Sequence, residues 1–333
     1  MEARLRIGCL GAARIAPPAL VHPARVHGAV QLSAVAARDP ARAREFADLH
    51  GFAQVRDGYE ALVDDPEVDI VYNPLPINLH AEWTIRALDA GKHVLCEKPL
   101  AMNAGEVEAM LEAAKRNGRR LIEAFHYRYH PAFETYLAWL GAERIGRLRR
   151  IEAHFCAPID DDDGREIRHL PETGGGAFMD LGCYPLSWTL MSTAEEPVSV
   201  DAEAELTPRG VDERLIATLR FADGLEATLE ASMAMSETRR MGLRVVGDDG
   251  EIRFDNPLAP QLGSTLTIDC GGETESAAIN RVSTYFYQLD AVVRALQTGE
   301  ALPTEGNALL RQQRLLDRIY AAAGLAGLRN NAQ

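Results

Sequence analysis

Residues 5–16, LRIGCLGAARIA, decide how the first half of the chain folds. Leu5–Leu10 is a short apolar run typical of a buried strand, and a turn of small residues follows it. Such residues let the backbone turn tightly and approach a pyrophosphate at the N-terminus of the next helix. In the pattern G-x-G-x-x-G/A, alanine replaces the middle glycine, and a plain tight turn is the alternative interpretation. We expect a dinucleotide to contact the turn residues Gly11, Ala12, Ala13, Arg14, Ile15 and Ala16.

Strands and helices continue to alternate up to about residue 125. Apolar runs at 30–36, 69–72, 93–96 and 120–122 are separated by helical stretches at 14–26, 40–49, 78–90 and 103–117. Near-continuous apolar strands joined by helices indicate a parallel sheet that is covered on both faces. Residues 1–125 are therefore predicted to form an α/β Rossmann domain with a doubly wound parallel sheet.

The pattern changes after about residue 145. Polar and apolar residues alternate in the segments 148–155, 200–206, 215–221, 225–232 and 242–246, and Asp-Gly turns stand at 223–224 and 249–250. This alternation is typical of antiparallel strands with one solvated face, and Asp-Gly favours hairpin turns. Two helices, 282–298 and 305–325, end the chain. Residues 126–333 are predicted to form an α+β domain with a mostly antiparallel open sheet, for substrate binding and oligomerisation.

Composition excludes several classes of protein. A chain of 333 residues is long enough for two domains, and its net charge of −14 argues against a nucleic-acid partner. The five scattered cysteines indicate reduced thiols in a cytoplasmic protein. We find no apolar run of membrane-spanning length and no His/Cys cluster for a metal. The acidic run 160–163 is interpreted as a solvated loop.

The end of the second strand bears on the choice of nucleotide. If Ala37 occupies the slot where NAD-binding proteins carry an acid, Arg38 can bind the 2′-phosphate of NADP, with Arg42 as a helper. If Asp39 occupies that slot, NAD is favoured. Ala37 lies nearer than Asp39 to the end of the second strand, and this shorter distance favours Ala37 for the slot. We therefore expect NADP and keep NAD as the alternative.

Polar residues also end the later strands. Asn73, Pro74 and Leu75 follow the strand 69–72, and their backbone is expected to line the nicotinamide side of the cleft. His80 begins the next helix, where a site residue and a surface histidine are equally good interpretations. Glu97 and Lys98 follow the strand 93–96. Hydride transfer from an alcohol needs a proton acceptor within hydrogen-bond reach, and Lys98 is such a group; a surface Glu–Lys pair is the alternative.

Four segments together resemble a known family. They are GAARIA at 11–16, VYNPLPINLHAEWTIRAL at 71–88, GKHVLCEKPLA at 91–101 and GGGAFMDLGCYP at 174–185. The chain is similar over its whole length to the Gfo/Idh/MocA family of NAD(P)-dependent oxidoreductases. Tyr184 stands where many members carry histidine. This resembles the branch of the trans-1,2-dihydrodiol dehydrogenases and NADP-dependent xylose dehydrogenases.

The resemblance implies roles for particular residues. Lys98 would be the catalytic or substrate-orienting lysine, with Glu97 holding it in place. The helix after the glycine run would face the substrate, and Asp180 and Tyr184, four residues apart, share one of its faces. Tyr184 would divide the acid–base role with Lys98, and Asp180 would grip a substrate hydroxyl. A helix-capping aspartate and a core tyrosine are the alternatives.

Further predictions concern the substrate pocket and the helix itself. The resemblance implies that Arg128 borders the pocket, and Arg168, just before the glycine run, is a further candidate for substrate contact. Pro185 predicts a kink or a new start of the helix, because proline lacks the backbone donor.

Together these observations predict an NADP-dependent oxidoreductase for a sugar, a polyol or a dihydrodiol. Its site is expected between the carboxyl edge of the parallel sheet and the second domain. The open face of the antiparallel sheet would serve as a surface for a homodimer or homotetramer. Two alternatives stay open: a glycoside hydrolase of the same family that uses bound NAD, and a dinucleotide-binding regulatory protein without catalysis.

Overall fold

A computed structural model describes residues 4–329, and the chain divides into two compact units. The first comprises Met1–Arg128 with Tyr285–Gln313, and the second comprises Tyr129–Thr284 with Arg314–Gln333. The sequence analysis places the whole of 126–333 in the second domain. The structure instead assigns 285–313 to the first unit.

The first unit is built on six parallel strands in the order β3-β2-β1-β4-β5-β6. Their bounds are β1 Leu5–Leu10, β2 Val30–Ala36, β3 Gln54–Val55, β4 Ile70–Asn73, β5 His93–Cys96 and β6 Leu121–Glu123. Every neighbouring pair is parallel. This is the Rossmann order, and it gathers the carboxyl ends of the strands at one edge of the sheet. The predicted doubly wound sheet is confirmed.

The second unit contains an eight-stranded sheet in the order β14-β13-β12-β11-β7-β10-β9-β8. Among the described strands of this second sheet, only β7 and β10 form a parallel pair, so the prediction of a mostly antiparallel sheet is confirmed. The bounds are β7 Leu148–Cys156, β8 Pro197–Leu206, β9 Asp212–Phe221, β10 Glu226–Ser232, β11 Arg240–Gly247, β12 Gly250–Asp255, β13 Thr265–Cys270 and β14 Glu273–Ser276.

The α-helices vary from five to sixteen residues. They are α1 His22–Val26, α2 Pro40–His50, α3 Gly58–Val63, α4 His80–Asp89, α5 Ala104–Asn117, α6 Pro131–Gly141, α7 Cys183–Ser192, α8 Thr284–Thr298 and α9 Asn307–Ala322. Two π-helical turns, Pro17–Val21 and Phe178–Gly182, directly precede α1 and α7. Short 3-10 turns lie at Ile77–Leu79, His126–Tyr129, Ile167–His169, Pro171–Thr173, Pro260–Leu262 and Ala326–Arg329. Among the described helices, none has the length and apolar character needed to cross a membrane.

Two apolar layers cover the first sheet, one on each face. Side chains of α3, α4 and α5 form one layer. The other layer includes the segment after the glycine turn together with Leu289, Val292 and Val293 of α8. Burying each such side chain contributes about 1.5–3 kcal/mol. This packing explains why α8 belongs to the first unit although it lies near the end of the chain.

The second sheet shows the predicted alternation. Buried apolar residues such as Ala153, Leu229 and Leu243 face α7 and the core, because α7 packs on β7 and β10. The intervening positions carry charges, and ion pairs join neighbouring strands across the other face. Arg214 lies 2.8 Å from Glu230, and Arg244 lies 3.0 Å from Glu152.

Candidate functional site

The glycine turn at the end of β1 has the geometry that a dinucleotide requires. Gly11 has a φ of +82°, which a residue with a side chain rarely adopts. Its backbone N–H donates to the carbonyl of Ala36 at 2.6 Å, which ties the turn to β2. Ala12 and Ala13 are half-buried, and Arg14 is exposed. Helical structure begins at Pro17, three residues later than the sequence suggests. The small residues therefore fit a bound pyrophosphate.

Basic side chains stand beside this turn at the end of β2. The carboxylate of Asp39 accepts hydrogen bonds from the backbone of Ala41 and Arg42, at 2.8 and 3.4 Å, and so caps α2. Arg42 donates from Nη2 to the carbonyl oxygen of Ala12 at 3.0 Å. Arg38 is exposed. Two arginines, Arg38 and Arg42, therefore stand beside one helix-capping aspartate at this turn.

The Asn73 side chain shapes the loop after β4. Its Nδ2 donates to the Thr84 hydroxyl at 3.1 Å and to the His80 carbonyl at 3.3 Å, and its Oδ1 accepts from the Leu75 N–H at 3.3 Å. Pro74 and Leu75 are buried. The side chain of Asn73 therefore braces the loop, and the expected contact with a nicotinamide would come from the backbone.

His80 is buried, so the surface alternative is wrong. Its Nδ1 lies 3.0 Å from the carbonyl oxygen of Pro99, and its Nε2 lies 2.7 Å from that of Leu75. Only an imidazolium could donate to both carbonyls. Burial outweighs these bonds and lowers the pKa of His80 to about 4, so the ring is neutral and donates to one of them. His80 thus joins the loops after β4 and β5.

Lys98 lies at the end of β5 above a buried acid. Glu97 is 8% exposed, and the Tyr72 hydroxyl donates to its Oε1 at 2.7 Å. The other carboxylate oxygen of Glu97 accepts from the Lys98 backbone N–H at 3.4 Å. The Lys98–Pro99 peptide bond is cis, and the Lys98 side chain is half-buried. The hydrogen bond between Glu97 and Lys98 therefore involves the Lys98 backbone.

Two further buried ionisable side chains, those of Glu123 and His126, interact electrostatically with Lys98. Glu123, at the end of β6, is 2% exposed, and burial raises its pKa to about 8. His126 is 4% exposed, and burial together with the charge of Lys98 lowers its pKa to about 3. We call Tyr72, Glu97, Lys98, Glu123 and His126 the Lys98 cluster.

Sequence reasoning did not assign Glu123 a role in the site, although its place at the end of a parallel strand was a usable signal. Tyr285, whose ring centroid lies 3.9 Å from that of His126, gave no such signal because it is distant in sequence. Arg128 is half-buried and donates from Nη1 to the carbonyl of Pro303 at 2.9 Å. Its expected contact with substrate stays a prediction.

In the second unit, the helix with Asp180 and Tyr184 starts at a buried carboxylate. Asp212 accepts from the Phe178 backbone N–H at 2.7 Å and from the Tyr320 hydroxyl at 2.8 Å. The same hydroxyl accepts from the Met179 N–H at 3.0 Å. Asp212 and Tyr320 thus satisfy the first donors of the helix, which must otherwise find partners. Neither residue was identified from sequence, since their partners are distant along the chain.

Pro185 has the predicted effect on this helix. The π-helical turn ends at Gly182, and α7 starts anew at Cys183, two residues before the proline. Proline cannot donate to the carbonyl four residues earlier, and its ring crowds that carbonyl. Such wide turns are frequent at functional sites. Tyr184 is buried, with ring centroids of Phe155 and Trp188 at 5.7 and 6.3 Å.

Asp180 belongs to a chain of three charges. The Nε of Arg168 donates to Asp180 Oδ2 at 2.6 Å, and the Nη1 of Arg168 donates to Glu166 Oε1 at 2.8 Å. The negative charge of Asp180 is the main cause that raises the pKa of Arg168. We call Glu166, Arg168 and Asp180 the Arg168 chain. The structure brings two predicted site residues, Arg168 and Asp180, into direct contact.

The acidic run before this chain behaves as a loop. Asp161 accepts from the Glu166 backbone N–H at 2.9 Å and lies 3.2 Å from Arg209. Asp162 and Asp163 are exposed. The run therefore helps to shape the segment that leads to Arg168.

Within residues 4–329, one group of possible metal ligands lies together: Cys156, Glu230 and Glu237. Glu230 is already paired with Arg214 and Arg240, at 2.8 and 2.9 Å. Burial raises the pKa of the Cys156 thiol to about 12, so it stays protonated and is a poor metal donor.

Two family models match most of the chain. The model described as "Oxidoreductase family, NAD-binding Rossmann fold" matches residues 5–125, and "GFO/IDH/MocA C-terminal domain" matches residues 133–253. The matched segments lie in the two predicted domains.

Characterised proteins resemble the whole chain or a large part of it. D-xylose 1-dehydrogenase (NADP(+)) 2 of Haloferax volcanii is 33% identical over 322 residues, 96% of this chain and 97% of the relative. Trans-1,2-dihydrobenzene-1,2-diol dehydrogenase of Xenopus tropicalis is 35% identical over 209 residues, 61% of each chain. A crystal structure of a 3-ketoreductase from Actinomadura kijaniata with NADP and TDP-benzene is 28% identical, with a TM-score of 0.87 over 96% of this chain and 98% of that one.

Proposed function

Because the chain belongs to the Gfo/Idh/MocA family of oxidoreductases, we propose that it catalyses NADP-dependent hydride transfer at a secondary hydroxyl or carbonyl of a sugar, a polyol or a dihydrodiol. One observation carries the proposal: Lys98 and the glycine turn occupy the same carboxyl edge of one parallel sheet. Ligands of doubly wound sheets bind at this edge.

The residues around Lys98 suit proton transfer. A bound nicotinamide supplies or accepts the hydride. The hydroxyl proton of the alcohol must then leave to, or return from, a group within hydrogen-bond reach, and the Lys98 amine serves this purpose. Glu97, held by Tyr72 at 2.7 Å, fixes the backbone from which Lys98 projects.

Residues of the second unit complete the proposal. Tyr184 shares the acid–base role with Lys98, and Asp180 accepts a hydrogen bond from a substrate hydroxyl. The likeness of the segment 174–185 to the family supports these roles. The losses of turnover in a Tyr184→Phe variant and in a Lys98→Met variant are compared. Their ratio shows how the two side chains share the acid–base role.

The proposed preference for NADP rests on the end of β2. Arg38 is exposed there, Arg42 reaches the glycine turn, and Asp39 caps α2 through its Oδ1. The similar xylose dehydrogenase is described as using NADP(+), and the similar 3-ketoreductase was crystallised with NADP. Both descriptions support the same choice. The guanidinium groups would bind the 2′-phosphate, as arginine does in many phosphate sites.

We also propose a cytoplasmic homodimer or homotetramer. The five cysteines are scattered along the sequence, a pattern that suits a reducing compartment. The charged face of the second sheet, with pairs such as Arg214–Glu230, offers a broad surface for a second copy. Sedimentation at several protein concentrations tests the oligomeric state.

The function is tested first by binding and then by turnover. Purified protein is titrated with NADPH and with NADH while the nucleotide fluorescence is followed. It is then assayed with NADP⁺ and xylose, glucose or a trans-dihydrodiol, and reduced nicotinamide is measured by absorbance. We expect tighter binding of NADPH and net formation of NADPH with at least one substrate.

The opposite results are equally informative. Tight retention of NAD with no net reduction, but hydrolysis of a glycoside, would replace the proposal by the glycosidase alternative. Binding of nucleotide without turnover of sugars, polyols or dihydrodiols would overturn it.

A further inference from the structure

Arg168 is placed between two carboxylates of its own unit. Its Nε donates to Asp180 at 2.6 Å and its Nη1 donates to Glu166 at 2.8 Å. The Arg168 side chain is 35% exposed, while that of Asp180 is 17% exposed. Two different nitrogens of the guanidinium are thus engaged within the protein.

The backbone of Arg168 is tied to the same helix as its side chain. The Arg168 carbonyl accepts from the Gly176 N–H at 2.9 Å, and the Gly176 carbonyl accepts from the Asp180 N–H at 3.1 Å. Residue 168 is therefore fixed at two points to a single turn of the helix. An arginine held in this way has little freedom to follow a substrate.

The chemistry of arginine explains why this residue type is present. Its planar guanidinium presents several donors in a fixed fork, so it can bridge two carboxylates, whereas the lysine ammonium is a point charge on a flexible stem. Two carboxylates and one guanidinium leave the chain with one negative charge. Asp180 therefore remains a hydrogen-bond acceptor, which suits a neutral, hydroxyl-bearing substrate.

We infer that Arg168 is a positioning residue, which orients the Asp180 carboxylate towards a substrate hydroxyl and does not itself bind the substrate. Glu166 fixes Arg168 from its other side. This inference rests on the proposed function, because the role of Asp180 is part of that proposal.

A double-mutant cycle tests the inference. Arg168→Gln, Asp180→Asn and the combined variant are compared with the wild type for kcat and KM of the sugar and for NADPH affinity. Arg168→Gln is expected to lower kcat/KM about 10- to 100-fold, the usual scale for losing a hydrogen bond to a charged group. Its further effect in the Asp180→Asn background is expected to be less than about threefold, since partners in one network are not additive.

Two controls separate positioning from a general loss of structure. Arg168→Lys keeps the charge and one donor, so it is expected to recover part of kcat/KM. Arg165→Gln removes an exposed arginine of the same segment and is expected to behave as the wild type. Retained NADPH affinity and circular dichroism show that each variant is folded.

The possible outcomes are distinct. In one outcome, the wild type turns over substrate and Arg168→Gln causes the same loss in the wild-type and Asp180→Asn backgrounds. This outcome would show direct contact of Arg168 with substrate and would overturn this inference alone. Absence of wild-type turnover with intact NADPH binding would overturn the proposed function, and the inference with it. Strong coupling between the two substitutions supports the inference.

Discussion

The Lys98 cluster and the Arg168 chain both concentrate ionisable side chains, but different physical effects control them. In the Lys98 cluster, Glu123 and His126 are almost fully buried, and burial is the first cause of both pKa shifts. In the Arg168 chain the side chains remain partly exposed, and opposite charges hold each other at 2.6 and 2.8 Å.

The difference teaches how each region can serve a reaction. Burial disfavours charge, so it raises the pKa of Glu123 to about 8 and lowers that of His126 to about 3, and it keeps both groups neutral near pH 7. Neutral groups around Lys98 suit a site that exchanges protons. Ion pairing holds the guanidinium and the carboxylates of the Arg168 chain at short distances, so this chain suits the orientation of a substrate. We therefore expect pH to affect the first region and geometry to affect the second.

Lys98→Met should have the largest effect on activity. Removing an acid–base group typically costs about 100- to 10,000-fold in turnover, and we expect a loss of kcat in this range with NADPH affinity nearly unchanged. Steady-state assays and fluorescence titration measure the two quantities. Lys115→Met, on an exposed position of α5, is the matched control. Unchanged turnover in Lys98→Met would contradict the assignment of proton exchange to the Lys98 cluster and of substrate orientation to the Arg168 chain.

Gly176→Ala should show that the second region depends on close packing. Gly176 has a φ of +129°, and a Cβ there would overlap Asp212 Oδ1 and lie 2.9 Å from the Tyr320 hydroxyl. We expect a loss of about 3 kcal/mol in the free energy of unfolding, measured by urea denaturation. Gly141→Ala, where a Cβ meets no atom within 4 Å, should change it by less than about 1 kcal/mol. Similar results for both variants would contradict the packing argument.

Glu123→Gln should alter the pH dependence of stability. Burial raises the pKa of Glu123 from 4.5 to about 8, so over this range the folded state keeps a proton that the unfolded state loses. Stability is therefore lost as the pH rises, by about 1.4 kcal/mol per unit. His80 and His126 have pKa values lowered from 6.5, so they destabilise the fold only as the pH falls below that value.

The range above pH 6.5 therefore isolates Glu123 from these histidines. Between pH 6.5 and 8 we expect the wild type to lose about 2 kcal/mol more than Glu123→Gln does, as measured by urea denaturation at both pH values. Parallel profiles of the two proteins would show that burial does not control this carboxyl.

Arg38→Ala extends the comparison to an exposed charge and should have the smallest effect. Loss of a charged hydrogen bond to the 2′-phosphate is expected to weaken NADPH binding about 10- to 30-fold and to leave NADH binding unchanged. Fluorescence titration measures both. Arg44→Ala, at an exposed position of the following helix α2, is the control. Equal weakening of NADPH and NADH would argue against contact with the 2′-phosphate.

Much of the fold could be predicted because its signals are local. Apolar runs located β1, β2 and β5 at the observed residues and β4 and β6 within one residue. Alternation of polar and apolar residues located the strands from β7 to β11. The strands β12 to β14 and the helices α3 and α6 were missed. The assignment of 285–313 to the first unit was missed too, since an amphipathic helix does not reveal which apolar surface it will cover.

The candidate site divides in the same way. Lys98, Asp180 and Tyr184 stand in recognisable segments, so they could be proposed from the sequence. The pKa of Glu123 depends on its burial, which is decided by the whole fold. Asp212 and Tyr320 act through partners that are distant in sequence: the Phe178–Asp212 bond spans 34 positions and the Tyr320–Asp212 bond spans 108. No short pattern records such pairs.

The sequence by itself determined the Rossmann domain with its parallel sheet, the family and the residue types at the strand ends, because these follow from periodicity and from short motifs. Only the tertiary structure decided which of these side chains are buried and which are paired. It buried His80 between two carbonyls, raised the pKa of Glu123 to about 8 and joined Arg168 to Asp180. Solvation and Coulomb interaction depend on distances in space, and those are fixed only when the chain has folded.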